Sequence, residues 1–186
     1  MRLIFEVIMN SIENNKIKGN LSLAKNIAEI TTGKENANFS NVNGKYKFFT
    51  CADNSLFCDQ YSFDQSSVII SGNGNFGVKH YTGKFNAYQR TYILTPKKDQ
   101  YAILYLSSLY SVNSLKRNST GSIIKFITKN DIENIQVFIP DNAYYLNILN
   151  NLIFKQEQNN LEIESLIKLR DFLLPLLMNG QATIKD

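Results

Sequence analysis

The hexapeptide GNGNFG at residues 72–77 has the glycine spacing that lets a backbone close on a pyrophosphate. That chemistry needs a helix to start there, so that its free amides face the phosphates. The next residues are instead VKHYTGKFNAYQRTYIL, rich in β-branched and aromatic residues and without a helical period. The glycines and asparagines therefore read as a β-turn, where positive φ is tolerated. Asp141, Glu162 and Glu164 offer carboxylates for a metal-dependent nuclease. The two glutamates fall on a predicted helix, too far along it from Asp141 to share an ion. Six residues separate Cys51 from Cys58, and His80 is the single histidine, which is too few ligands for zinc. Two free thiols in a reducing cytosol are expected. There is no nucleophile elbow, no Walker loop and no Asn-Pro-Pro-Tyr-like segment, since Pro96, Pro140 and Pro175 are isolated. The chain predicts no catalytic residue, no metal and no cofactor.

The polar loops carry a different chemistry. Lys34, Asn36 and Asn38 share one loop, and Asn73 and Asn75 another. Lys79 and His80 come next, then Lys84, Asn86, Gln89 and Arg90. Lys116, Arg117, Asn118, Thr120, Ser122 and Lys125 form the last group. Lys and Arg seek phosphates and guanine, and Asn and Gln pair with adenine edges. The predicted DNA-binding set is Lys34, Asn36, Asn73, Asn75, Lys79, His80, Lys84, Arg90, Lys116, Arg117, Asn118, Ser122 and Lys125. The cluster from Lys116 onward is the leading member, because it is basic, contains glycine and runs straight into strands.

Those loops need a scaffold. YKFFTC, SSVIIS, FGVKHY and RTYILT, starting at residues 46, 66, 76 and 90, read as strands punctuated by Gly, Asn and Asp. Residues 14–20 and 34–44 read as loops, and 21–34 as an opening strand with a short turn. DQYAILYLSSLYSV at 99–112 recurs at helical spacing and predicts a packed helix. Residues 116–122 read as a polar loop, and IIKFI and IQVFIP as the last strands. Between those two, Thr128 is placed to accept from a backbone N–H three residues on. Residues 3–9 fit either a strand or the start of a helix.

Pro140 separates two periods, because the residue before a proline is pushed out of helical conformation. After it, one helix pattern runs to about residue 178. Leu149, Ile153, Gln156, Asn160, Ile163, Ile167, Arg170 and Leu174 step by three and four, a coiled-coil seam with a polar middle. About thirty residues at 1.5 Å each reach roughly 45 Å, more apolar face than a small head can cover. The seam predicts a partner helix, with a fold back onto the head as the alternative.

The composition is globular, with 44% hydrophobic and 12% aromatic residues. The net charge of +4 is unevenly placed. Residues 1–140 hold sixteen Lys or Arg against ten Asp or Glu, while 141–186 hold four against six. A basic head fits a polyanion. The N-terminal apolar run is short, is interrupted by Glu6 and lacks a small-residue cleavage site. No stretch approaches a membrane span, so the expected location is cytoplasmic.

AEITTGK (28–34), GKYKFFT (44–50), SVIISGNG (67–74), GSIIKFITKNDIENIQVFIP (121–140) and LRDFLLPLLMNGQ (169–181), in that order, resemble the DNA-specificity subunit of type I restriction-modification systems. The resemblance runs from about Leu21 across nearly the whole chain, and it is the order and gaps of the five segments that carry it. It implies an α+β fold, in which a β-rich target-recognition domain precedes a long helix that pairs antiparallel with another. It implies a non-catalytic protein that reads double-stranded DNA and directs an adenine methyltransferase subunit and a restriction subunit. Base-contacting residues do not carry over, because the family's recognition loops vary. Such subunits hold two recognition domains and two helices, whereas this chain holds one of each. A half-subunit that dimerises is the leading expectation, beside a split gene or half of a tandem. The predicted organisation is a recognition head at 1–140, a spacer helix at 141–178 and a tail at 179–186. The other reading is a carbohydrate- or protein-binding β domain with an oligomerising helix and a platform of Tyr46, Phe76, Tyr81 and Tyr88.

Overall fold

The computed structural model describes residues 17–97, 99–118 and 126–180. The chain divides into two compact units, Met1–Asn150 and Asn151–Asp186. In the first, β1 (Gly19–Leu23), one turn of helix α1 (Ala24–Ile27) and β2 (Ala28–Thr32) run on without a break. A 3-10 turn at Ala37–Phe39 precedes β3 (Tyr46–Phe49) and β4 (Leu56–Cys58). Then come β5 (Phe63–Ser71), β6 (Val78–Ala87) and β7 (Thr91–Pro96). Helix α2 (Tyr101–Asn118), the short α3 (Lys129–Glu133) and β8 (Gln136–Pro140) lead to α4 (Ala143–Met178).

The α+β expectation holds. Six strands form one sheet in the order β2-β7-β5-β6-β3-β4, with β3 and β6 parallel and every other neighbour pair antiparallel. β1 and β8 form a separate antiparallel pair, Gly19 opposite Pro140. In β5 five successive residues from Ser67 to Ser71 are buried, the mark of a strand covered on both faces. Phe49, Ile69, Phe85, Ala87 and Ile93, from four strands, form one cluster closed by Phe63 and Tyr81. Helix α2 packs over β5, β6, β7 and β8, burying Ala102, Ile103, Leu104 and Leu106.

The sheet is strongly curled. β2 and β6 lie three strand spacings apart, about 14 Å in a flat sheet. Yet the Lys34 N–H, just past β2, donates to the Ala87 carbonyl at 3.1 Å, at the end of β6. Gly33 makes this approach possible, because a Cβ there would collide with the carbonyl oxygens of Ala87 and Tyr88.

Several local expectations are met. Thr128 accepts from the Asp131 N–H at 3.2 Å, and the Asp131 carboxylate accepts from the Thr128 N–H at 2.8 Å, a complete capping box. GNGNFG is a turn between β5 and β6, with Gly74 at φ 70° and Phe76 at φ 50°. Both cysteines are free thiols.

Other expectations need correction. Residues 116–118, expected in a loop, continue α2, because the helix runs to Asn118. The opening strand at 21–34 is two strands in two sheets, and β1 starts at Gly19, inside the expected loop. β4 leaves no signal in the sequence, since three residues are too short to show a period. In the IIKFI segment, Phe126 makes only an isolated bridge to Asn73. Residues 3–9 lie outside the described residues.

At the strand-to-helix junction the Asp141 N–H donates to the Lys18 carbonyl at 3.0 Å, and Asn20 donates to the Asp141 carboxylate at 3.3 Å. The Asn142 side chain accepts from the Tyr144 N–H at 2.9 Å and caps α4. No helix among the described residues is long and apolar enough to cross a membrane.

Candidate nucleic-acid interface

The link from β6 to β7 is where the loops meet. Residues 87–91 exchange backbone hydrogen bonds with three neighbouring segments. The Gly33 and Lys34 N–H groups donate to the Thr91 and Ala87 carbonyls, at 2.9 and 3.1 Å. The Gly72 N–H donates to the Arg90 carbonyl at 2.9 Å, and the Tyr88 N–H to the Phe49 carbonyl at 2.9 Å. The Gln89 N–H donates to the Glu35 carbonyl at 2.9 Å. The exits of β2, β3 and β5 are thus tied to one short segment. This brings the loops that carry Lys34, Asn36, Asn73, Asn75 and Arg90 together.

Lys34, Asn36, Asn75, Gln89 and Arg90 are exposed here, and Asn73 is half-buried. The Phe126 backbone bridges Asn73, and the Ile127 N–H donates to the Gly72 carbonyl at 2.8 Å. Phe126 and Ile127 therefore lie against the β5–β6 turn, and Thr120, Ser122 and Lys125 come before them in the chain. Thr120, Ser122 and Lys125 lie outside the described residues, as do the side chains of Lys116, Arg117 and Asn118.

Sequence reasoning missed one contributor, the loop after β3. Asp53 accepts from the Asn75 amide at 3.2 Å, and the Cys51 thiol donates to the Arg90 carbonyl at 3.6 Å. The Lys79 ammonium donates to the Ala52 carbonyl and sits 6.0 Å from the centroid of the Phe49 ring. Burial pushes the Lys79 ammonium below the usual lysine range, and the nearby Asp53 carboxylate opposes that shift. Lys79 thus clamps the loop and is half-withdrawn from solvent. The residues CADN resemble any surface turn, so only the long-range contacts identify them. Lys34, Lys79 and Arg90 outnumber Glu35 and Asp53 around the segment, leaving the edge mildly basic.

Two predicted contacts stand apart. His80 packs its ring on Tyr105 at 4.5 Å and Tyr101 at 6.0 Å, both on α2. It neighbours Lys79 in a strand, and successive strand residues point to opposite faces. Lys84 is engaged by Tyr61 and Asp64, with its ammonium 4.7 Å from the Tyr61 centroid and 4.0 Å from the Asp64 carboxylate. The proposed aromatic platform does not assemble either, because Phe76 is 7% exposed and Tyr81 packs on Phe49 and Phe85.

The predicted seam on α4 divides in two. Leu149 is fully buried in the first unit, and Ile153 is also buried, so neither is open to a partner. Gln156, Asn160, Ile163, Ile167, Arg170 and Leu174 are exposed. Arg170 donates to the adjacent Asp171 carboxylate at 2.6 and 2.8 Å. Leu166, Leu173 and Leu177, outside the predicted seam, are exposed as well. At 100° per residue, Ile163, Leu166, Ile167, Arg170, Leu173, Leu174 and Leu177 form one face about 120° wide.

Residues 22–165 match the family described as the type I restriction modification DNA specificity domain. The chain is 36% identical over 164 residues to the EcoDI type I restriction enzyme specificity subunit of Escherichia coli, covering 84% of this chain and 37% of that protein. Its fold is similar to that of the S subunit of a type I restriction-modification system from M. genitalium. There the TM-score is 0.69 at 17% identity, over 88% of this chain and 46% of that one. A structure reported for complex assembly and conformational transition of a type I R-M system matches at TM-score 0.55 and 16% identity, over 94% of this chain and 50% of that one. The chain spans half or less of the length of these relatives.

Proposed function

This chain belongs to the type I restriction modification DNA specificity domain family, and we propose that it is a non-catalytic subunit that reads one half of a split DNA target. The observation that carries this reading is the convergence on residues 87–91. Exposed amides on Asn36 and Gln89 sit near the cations of Lys34 and Arg90 on one edge of the curled sheet. Phosphate contacts position a protein and base contacts specify. This edge offers both kinds of group together.

In this reading the subunit binds no S-adenosylmethionine of its own. It directs an adenine methyltransferase subunit and a restriction subunit to the site. The wide apolar face on α4 supports a homodimer, because a contiguous exposed apolar patch of this kind marks an interaction surface. Two copies paired antiparallel form an isologous contact. Two identical heads then read halves that are inverted repeats, by the rule that ties protein symmetry to half-site symmetry.

Selection from a randomised duplex pool, using the full chain together with its methyltransferase, tests this directly. The expected product is an inverted repeat with a fixed gap. Recovery of no common motif removes the reading. S-adenosylmethionine binding by the isolated chain overturns the non-catalytic assignment.

A further inference from the structure

Outside the edge already described, four side chains form a connected ladder. The Lys45 ammonium lies 5.7 Å from the centroid of the Tyr46 ring. The Tyr46 and Tyr61 rings are 5.0 Å apart, tilted by 59°. The Lys84 ammonium lies 4.7 Å from the centroid of Tyr61. Three separate pieces of chain meet here. The parallel register sets Lys47 against Phe85, which brings Tyr46 level with Lys84. The loop carrying Tyr61 is pinned from below, where the buried Asn86 amide and the buried Cys58 thiol both donate to the Gln60 carbonyl, at 3.3 and 3.1 Å.

We propose that Lys45, Tyr46, Tyr61 and Lys84 form a second DNA contact, a phosphate-binding ledge that grips the duplex backbone without reading bases. The ledge rests on the DNA-binding function proposed above. The tyrosines hold the ammoniums over fixed ring faces, so less side-chain freedom is lost when a phosphate arrives. A compact ammonium suits a phosphate oxygen and carries no sequence preference. The adjacent Tyr61 side chain and the Asp64 carboxylate raise the Lys84 ammonium's pKa, which keeps it charged at neutral pH. The Lys84–Asp64 pair spans 4.0 Å between exposed side chains, a weak pairing that a phosphate can displace.

The test is binding of the full chain, with its methyltransferase, to a duplex carrying the selected target and to an unrelated duplex of equal length, from 50 to 200 mM salt. Lys45→Gln combined with Lys84→Gln is expected to reduce the slope of log K against log salt by about 2, near 0.9 per lost contact. Affinity for both duplexes should fall by the same factor, and Lys45→Arg with Lys84→Arg should keep the wild-type slope. An unchanged slope in the glutamine variant, beside a salt-dependent wild type, overturns the ledge. So does a loss confined to the target duplex, which would mean base reading. Loss of methyltransferase association with DNA contact intact would make the ladder a protein-docking face and also overturns the proposal. A wild type with no salt-dependent DNA binding at all removes the parent reading instead.

Discussion

Asn150 caps a helix that begins 49 residues earlier. Its side-chain carbonyl accepts from the Ala102 N–H at 3.0 Å, while its NH2 donates to the Asp99 carbonyl at 2.7 Å. The first turn of α2 has N–H groups without intrahelical partners, and Ala102 carries one of them. The second turn of α4 supplies the missing acceptor. Leu149, buried beside it, fixes the same turn into the head.

Removing this cap should cost stability. Asn150→Ala is expected to lower unfolding free energy by about 1–2 kcal/mol, the usual range for losing a helix cap. Asn150→Asp keeps the acceptor and loses the donor, so it should fall between. Urea unfolding followed by circular dichroism reads both, and a variant as stable as wild type would mean that the cap contributes nothing.

Gly33→Ala tests the closure of the sheet. The added Cβ would press on the backbone oxygens of Ala87 and Tyr88, which cannot rotate away as a side chain can. A destabilisation of about 2–4 kcal/mol is expected, at the upper end for single substitutions. Thermal melting of the purified variant checks it. Gly74→Ala should cost less, since its nearest neighbour is 3.8 Å away and only its φ of 70° opposes a side chain.

His80→Ala separates packing from DNA contact. Loss of its ring contacts with Tyr101 and Tyr105 should destabilise the head by about 1 kcal/mol. Its DNA affinity relative to unrelated duplex should stay within about twofold of wild type. Arg90→Gln should do the reverse, keeping the melting temperature and lowering the salt slope by about 0.9 if it meets one phosphate.

The exposed face of α4 predicts a concentration-dependent dimer. Ile163→Asp with Ile167→Asp should give a monomer by sedimentation at tens of micromolar, while wild type sediments as a dimer. Both side chains are about half exposed, at 53% and 44%, so the head should fold as before. Leu149→Ala should instead destabilise the head by about 2–4 kcal/mol, because it empties a fully buried site.

The two thiols should differ in reactivity. Burial pushes the Cys58 pKa above 9.0, so less of it is thiolate at any given pH, and the group is also enclosed. Cys51 is half-buried. At pH 8, iodoacetamide should modify Cys51 first, and Cys58 only as the protein unfolds. Peptide mass analysis over time distinguishes the two.

The residue order by itself determined what local physics can decide. Runs of β-branched and aromatic residues made strands at 46–49, 66–71 and 91–95. Thr128 and Asp131 made a cap, Pro140 closed a strand, and the apolar period after it made a helix. These depend on neighbours a few positions away. Loops 34–36, 73–75 and 88–90 were recognisable as polar, but nothing in their order says that they meet. The parallel pairing of β3 with β6 and the curl that brings Lys34 to Ala87 decide that. Tertiary structure also sent the adjacent residues Lys79 and His80 to different neighbours. It divided one helical seam between a buried Leu149 and an exposed Ile163. Such outcomes depend on contacts between residues tens of positions apart. Their free energy comes from burying shared apolar surface, and no sequence period records which surfaces will share it.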